Sequence, residues 1–159
     1  MKTLPIAILL VLFGLMPAHA RTTHADLVAR YCAGMIKEFS NPDGTRTDCI
    51  SDTHAIEVEF SKDWANSIGQ SLHYALWTTE FAENPEEFAR WHYQVRTPRK
   101  AGIIFACSEV RRPETCEDHT VRPYRIAEKY QIPLTIWHCD PDKDMTLDEC
   151  QKIDYPSAP

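Results

Sequence analysis

The chain has 159 residues, 43% of them hydrophobic, with 17 basic and 23 acidic side chains and a net charge of −6. A chain of this size fits one domain that buries roughly 70% of the surface exposed when unfolded. Its acidic balance argues against non-specific nucleic-acid binding, which rests on Lys and Arg neutralising phosphates, although local patches can override the total.

Met1-Lys2, the apolar run Ile6 to Met16, Pro17 and then Ala18-His19-Ala20 read as a secretory signal peptide cleaved after Ala20. The run is too short to span a bilayer comfortably, and nothing later looks transmembrane. The expectation is a secreted or periplasmic domain over residues 21–159, with a polar, loop-like tail from about residue 140. All six cysteines fall in that domain, and an even number in an exported chain predicts three disulfides. The sequence does not choose among the pairings; the reading adopted is Cys32–Cys49, Cys107–Cys116 and Cys139–Cys150. No C-x-x-C occurs, and no paired Cys/His spacing matches a zinc site.

In chain order, Thr22 to Ala33 has helical spacing of Ala25, Leu27, Val28 and Tyr31, with Gly34 as a C-terminal cap. Met35 to Ser40 alternates, and Asn41-Pro42-Asp43-Gly44 is a turn. Thr45 to Ser51 and His54 to Ser61 follow as strands. On the second, Ile56, Val58 and Phe60 take one face and Glu57 and Glu59 the other. Ser61 is the expected N-cap of a helix over Lys62 to Thr78, whose stripe is Trp64, Ile68, Leu72 and Leu76. Asn84-Pro85-Glu86-Glu87 starts a further helix with Phe88, Trp91 and Val95 on one face. Lys100 to Ser108 is a buried strand, Cys107 to Cys116 a charged loop, Tyr124 to Tyr130 a short helix, and Pro133 to His138 a second buried strand. Three short strands followed by helix–strand alternation imply an α/β fold, a mixed sheet with helices on its faces.

Asp48 on one strand, Glu57 and Glu59 on the next, and Gln70 and Tyr74 one turn apart on the following helix are positioned to converge. In this order they resemble the PD-(D/E)XK nuclease superfamily, in the RecB-like branch with its Gln-x-x-x-Tyr helix, here Gln70-Ser71-Leu72-His73-Tyr74. The resemblance covers about Ala25 to Ser108. It implies a restriction-endonuclease-like core of helix, three-strand meander, helix and strand, with an extra helix and strand beyond it. It also implies Asp48 and Glu57 as ligands of a divalent metal. Glu59 stands where the family has lysine, so Lys62, at the start of the helix, is the candidate replacement. Asp48, Glu57 and the Val58 carbonyl supply hard oxygen ligands suited to Mg²⁺ or Mn²⁺. Such a metal polarises a phosphoryl oxygen and acidifies a bound water, for which Glu59 could act as base. Without a cation, three close carboxylates repel, and at least one pKa rises. The implied function is a metal-dependent phosphodiesterase acting on nucleic acid; the alternative is a non-catalytic module that binds an extracytoplasmic macromolecule. Glu38 could join the acids, and Arg46 could neutralise them.

Three further features stand beside these. Asp140-Pro141-Asp142-Lys143-Asp144 resembles the start of an EF-hand loop, but Met145 and Gln151 replace its glycine and last glutamate. Arg96, Arg99, Lys100, Arg111 and Arg112 form a basic cluster able to meet phosphates. A cysteine nucleophile with His73, His92 or His138 requires a free thiol, which complete disulfide pairing removes.

Overall fold

A computed structural model describes residues 22–108 and 113–155. The signal-peptide segment and the Arg111-Arg112 part of the basic cluster lie outside the described residues.

Helix α1 (His24–Tyr31) opens with a capping box. Asp26 N–H donates to Thr23 Oγ1 at 3.2 Å, and the Asp26 carboxylate accepts from Thr23 N–H at 2.8 Å. Such reciprocal capping gives partners to two of the N–H groups that the helix start leaves unpaired. The chain then turns at Gly34, whose φ of +78° is the left-handed conformation glycine adopts freely. Strands β1 (Ile36–Ser40), β2 (Arg46–Ile50) and β3 (His54–Phe60) form an antiparallel meander. After a 3-10 turn at Ser61–Asp63 come α2 (Trp64–Glu83), the single turn α3 (Ala89–His92) and β4 (Lys100–Ala106). Helix α4 (Pro113–Lys129), β5 (Leu134–Cys139), a 3-10 turn (Leu147–Glu149) and β6 (Gln151–Tyr155) complete the described chain. The sheet order is β1-β2-β3-β4-β5-β6, with β3, β4 and β5 parallel and β6 antiparallel to β5.

Both faces of this mixed sheet are covered, which explains the near-continuous apolar runs of β4 and β5. Ile56, Val58 and Ile104 pack against Leu27, Val28 and Tyr31 of α1. Ile103, Phe105 and Ile136 pack against Trp64, Ile68, Leu72 and Ala75 of α2 and against Tyr124 and Ala127 of α4. A third cluster joins Phe39 and Ile50 to Trp77, Phe81, Phe88, Trp91 and Val95. Phe81 lies between Trp77 and Trp91, its ring stacked on both, with centroids 5.9 and 6.1 Å away. Phe88, Trp91 and Val95 thus meet in one cluster, though only Trp91 lies on helix α3, so the expected helix face is not formed.

The cysteines pair as read from the sequence: Cys32–Cys49, Cys107–Cys116 and Cys139–Cys150, with Cα–Cα distances of 5.8, 5.5 and 4.8 Å. Three disulfides point to an oxidising, extracytoplasmic compartment. No helix among the described residues is long and apolar enough to cross a membrane.

Several elements differ from expectation. Helix α4 begins at Pro113, inside the stretch read as a charged loop, and continues through Pro123. Proline removes one ladder bond and argues against a helix locally, but Tyr124 and Ala127 are held by packing on the sheet. The tail forms β6, a polar edge strand whose Lys152 and Asp154 suit an exposed edge. The Asn84 helix shrinks to one turn, with residues 85–88 in a turn before it. On α2 the fully buried face is Ser67, Ser71, Tyr74, Thr78 and Phe81, while Leu76 is 55% exposed. Small hydroxyl residues let the helix approach the sheet closely, so the apolar stripe flanks the contact. Ser61 does not cap α2; its hydroxyl donates to Cys107 Sγ at 3.1 Å.

Gly102, central in β4, sits where a Cβ would lie 2.9 Å from Trp137 Cζ3 and 3.1 Å from Ile56 Cγ1, whereas Gly69 on α2 faces open space. Gly102→Ala is expected to lower stability by about 2 kcal/mol through overpacking. Gly69→Ala should be neutral or raise it by up to about 1 kcal/mol. Urea unfolding midpoints of the two variants would separate these outcomes; equal midpoints would contradict the packing account.

Candidate functional site

The site grows out of a defect in the sheet. Strands β2 and β3 pair at two positions, Cys49 with Ile56 and Ile50 with Ala55. Beyond them the strands part, so the next β2-facing groups of β3, the N–H and C=O of Val58, need other partners. Asp48 Oδ2 accepts the Val58 N–H at 2.8 Å, and His24 Nε2 lies 2.8 Å from Val58 O and 3.2 Å from Asp48 Oδ2. A carbonyl only accepts, so His24 Nε2 carries a hydrogen here and donates to both oxygens. One carboxylate and one imidazole thus replace the missing rungs.

Sheet register gathers the acids. Asp48 shares the face of Ile50, and Glu57 and Glu59 share that of Ile103 and Phe105, so these acids point to the α2 side. Asp48 and Glu57 are each only 5% exposed, so neither is solvated as an outward strand face would be. Glu38 faces Asp48 from β1, between the pairs Lys37–Cys49 and Phe39–Thr47. Its φ of +53° is unusual for a residue with a side chain and costs on the order of 1 kcal/mol or more. In strict alternation Ile36 and Phe39 would take opposite faces; with this kink both join the Phe81 cluster.

The electrostatics follow from burial. Loss of solvent pushes the Glu57 carboxyl up to about 9, and the nearby Asp48, Glu59 and Glu38 charges add to it. Glu57 is therefore protonated at neutral pH and donates to the Asp48 carboxylate. Asp48 is raised as well, chiefly by burial, with the Val58 N–H and His24 working in the opposite direction. Tyr74 is pushed up to about 12, first by burial and then by the Glu57 and Asp48 charges, while its hydrogen bond with Gln70 opposes the shift. Tyr74 thus stands over the acids as a neutral phenol, and the more exposed Gln70 reaches them through Tyr74.

Two sequence candidates stand apart. Lys62 is paired with Asp63 and exposed, because the 3-10 turn holds the two side chains together. Arg46 pairs with Glu38 across β1 and β2, not with Asp48. Glu59 is half-buried beside Glu57 and accepts the Phe60 N–H at 2.9 Å. Among the described residues neither Asp48 nor Glu57 has a Lys or Arg partner. His24 was missed from sequence. The available signal was a histidine in the first turn of the helix that leads into the meander.

The other features resolve more simply. With all six cysteines paired, no thiol remains to act as a nucleophile with His73, His92 or His138. In the Asp140–Asp144 loop, Arg30 Nη1 donates to the Pro141 and Lys143 carbonyls, both at 3.1 Å, and Lys143 Nζ pairs with Asp140 at 3.4 Å. These cations take oxygens that an EF-hand would offer to calcium. Arg96 and Lys100 are exposed, and the register of Lys100 with His54 puts Lys100 where β3 begins, before Glu57. Among the described residues, the group of three His, Cys, Asp or Glu ligand atoms within 4.8 Å of one another is Cys107, Cys116 and His138. Two of those atoms are tied in a disulfide, and thiolates are what bind metal.

Comparison of the chain with protein-family models, curated proteins and solved structures gave no match.

The Glu57 shift has a signed consequence. Between pH 4.5, the ordinary value, and about 9, the folded state holds a proton that the unfolded chain releases. Stability therefore falls as pH rises across that window. Glu57→Gln cannot ionise and should be more stable than wild type at pH 8 by more than about 1 kcal/mol, with the difference shrinking toward pH 5. Urea unfolding of both proteins at the two pH values checks this; parallel profiles would refute it.

Proposed function

We propose that the protein is an exported, metal-dependent phosphodiesterase with a restriction-endonuclease-like core, acting on nucleic acid. The reading is supported by the succession of helix, three-strand meander, helix and strand, and by acids at the positions the PD-(D/E)XK pattern requires. One observation carries it. Two buried carboxyl groups lie in contact beside the Val58 carbonyl and the His24 imidazole, with no Lys or Arg neutralising them among the described residues.

The donor set fits a divalent cation. Asp48, Glu57 and the Val58 carbonyl offer hard oxygens suited to Mg²⁺ or Mn²⁺, while His24 stands beside Asp48 and the Val58 carbonyl and does not form a three-residue ligand group with Glu57. His24 donates to two of these oxygens and would hold them in place for the ion. A bound metal supplies phosphoryl polarisation and a more acidic bound water. Glu57 gives up its proton when it ligates. Glu59, where the family has lysine, can accept a proton but is not a cationic donor, so water activation is the role open to it. Tyr74, held by Gln70, is a hydroxyl donor at the edge of the acids, suited to orienting a phosphate oxygen.

A second reading is favoured by one observation, the pairing of Lys62 with Asp63 in a chain of net charge −6. It is a nuclease-like module without catalysis that binds an extracytoplasmic protein.

Calorimetric titration of the oxidised mature protein with Mn²⁺ and Mg²⁺ tests the site. One metal should bind per chain; Asp48→Ala and Glu57→Ala should abolish binding, and His24→Ala should weaken it about tenfold. Cleavage of single- or double-stranded DNA by the loaded protein would support the first reading. Binding without cleavage would favour the second, and absence of binding to either metal would refute the site.

A further inference from the structure

The Cys107–Cys116 disulfide is chemically unlike the other two. Cys32, Cys49, Cys139 and Cys150 all lie within the apolar cluster beneath α1. Cys150 Sγ also lies 3.5 Å from the Thr146 carbonyl, which only accepts, whereas Cys107 and Cys116 have groups beside them that can donate a hydrogen. The Ser61 hydroxyl donates to Cys107 Sγ at 3.1 Å, and His138 Nε2 lies 3.4 Å from Cys116 Sγ. The three parts converge from different elements: Cys107 just beyond β4, Cys116 in the first turn of α4, and His138 on β5, whose register partner is Phe105.

Disulfide exchange is fastest when the departing sulfur is a stabilised thiolate, and a neighbouring histidine N–H provides that stabilisation. The two sulfurs are then inequivalent. Cys116 has the imidazole, and Cys107 has a neutral hydroxyl. Cys107 also keeps 6% of its surface exposed against 2% for Cys116. Cys150, at 7%, is no less exposed, so it is the donors beside Cys107 and Cys116, and not access, that set this pair apart.

We propose that Cys107–Cys116 is an exchange-active disulfide that reacts with small monothiols, with His138 positioning and stabilising the Cys116 thiolate. A thiolate attacks Cys107 Sγ and forms a new S–S bond there. The Cys107–Cys116 bond breaks, and its electron pair leaves on Cys116 Sγ, next to His138 Nε2. No net oxidation or reduction occurs in this step. A second monothiolate can attack the external sulfur of the mixed disulfide, releasing the small symmetrical disulfide and leaving the reduced pair. The inference is independent of the metal reading, because it involves none of the acidic residues.

The test uses the intact oxidised protein and reduced glutathione at graded concentrations, with acid quenching, alkylation and mass-spectrometric mapping. Cys107 should carry glutathione and Cys116 the alkyl label, before either of the other pairs opens. His138→Asn should slow the exchange about fivefold or more and spread the mixed disulfide over both cysteines, a change of site that a merely structural role would not produce. Opening of Cys32–Cys49 or Cys139–Cys150 first or at the same rate would overturn the proposal, as would glutathione on Cys116. A folded His138→Asn protein with wild-type rate and site would also overturn it. Should that variant not fold, the order and site in the wild-type protein decide.

Discussion

Strands β2 and β3 stay together for two rungs and then separate, and the rest of the site is a response to the backbone groups this leaves unpaired. A buried N–H or C=O without a partner costs on the order of 1–3 kcal/mol, so Val58 requires one of each. Asp48 provides the acceptor and His24 the donor. The Cys32–Cys49 disulfide ties the residue capping the C-terminal end of α1 to the neighbour of Asp48, which holds the helix bearing His24 against the parted strands. Register then brings Glu57 against Asp48, and α2 closes over both with Tyr74. An arrangement that repairs two backbone groups has collected carboxylates out of water.

That collection is unfavourable by itself. Like charges on adjacent strands repel, and burial removes the solvent that would screen them. The molecule answers with a proton on Glu57 and a hydrogen bond from His24, not with the nearby cations, since Arg46 serves Glu38 and Lys62 serves Asp63. Retaining destabilising groups where a ligand would relieve them is the usual relation between stability and function at binding sites. The left-handed backbone at Glu38, opposite Asp48, belongs to the same pattern.

Much of this was legible in the sequence because the relevant signals are local. Alternation in His54 to Phe60 fixed which face Glu57 takes, and four-residue spacing placed Gln70 beside Tyr74. The disulfide pairs follow chain neighbours, and Gly34 marked the turn that follows α1. What was not legible depends on tertiary contact. Nothing in the local pattern around His24 says that the helix N-terminus meets a gap between strands at Asp48 and Val58, 24 and 34 residues later. The burial of Glu57 follows from α2 covering a face that alternation alone marks as polar. The α2 contact face uses Ser67, Ser71 and Thr78, which a search for apolar residues passes over. Pro123 concealed a long helix, and the charges of β6 concealed an edge strand.

The central claim is that Glu57 holds a proton in place of a cation. The direct measurement is a pH titration of the Glu57 side-chain carboxyl by carbon-13 NMR, with and without Mg²⁺. The account predicts a carboxyl still protonated at neutral pH in the absence of metal and ionised once Mg²⁺ is added. A Glu57 that titrates near the ordinary glutamate value and is indifferent to the metal would contradict it.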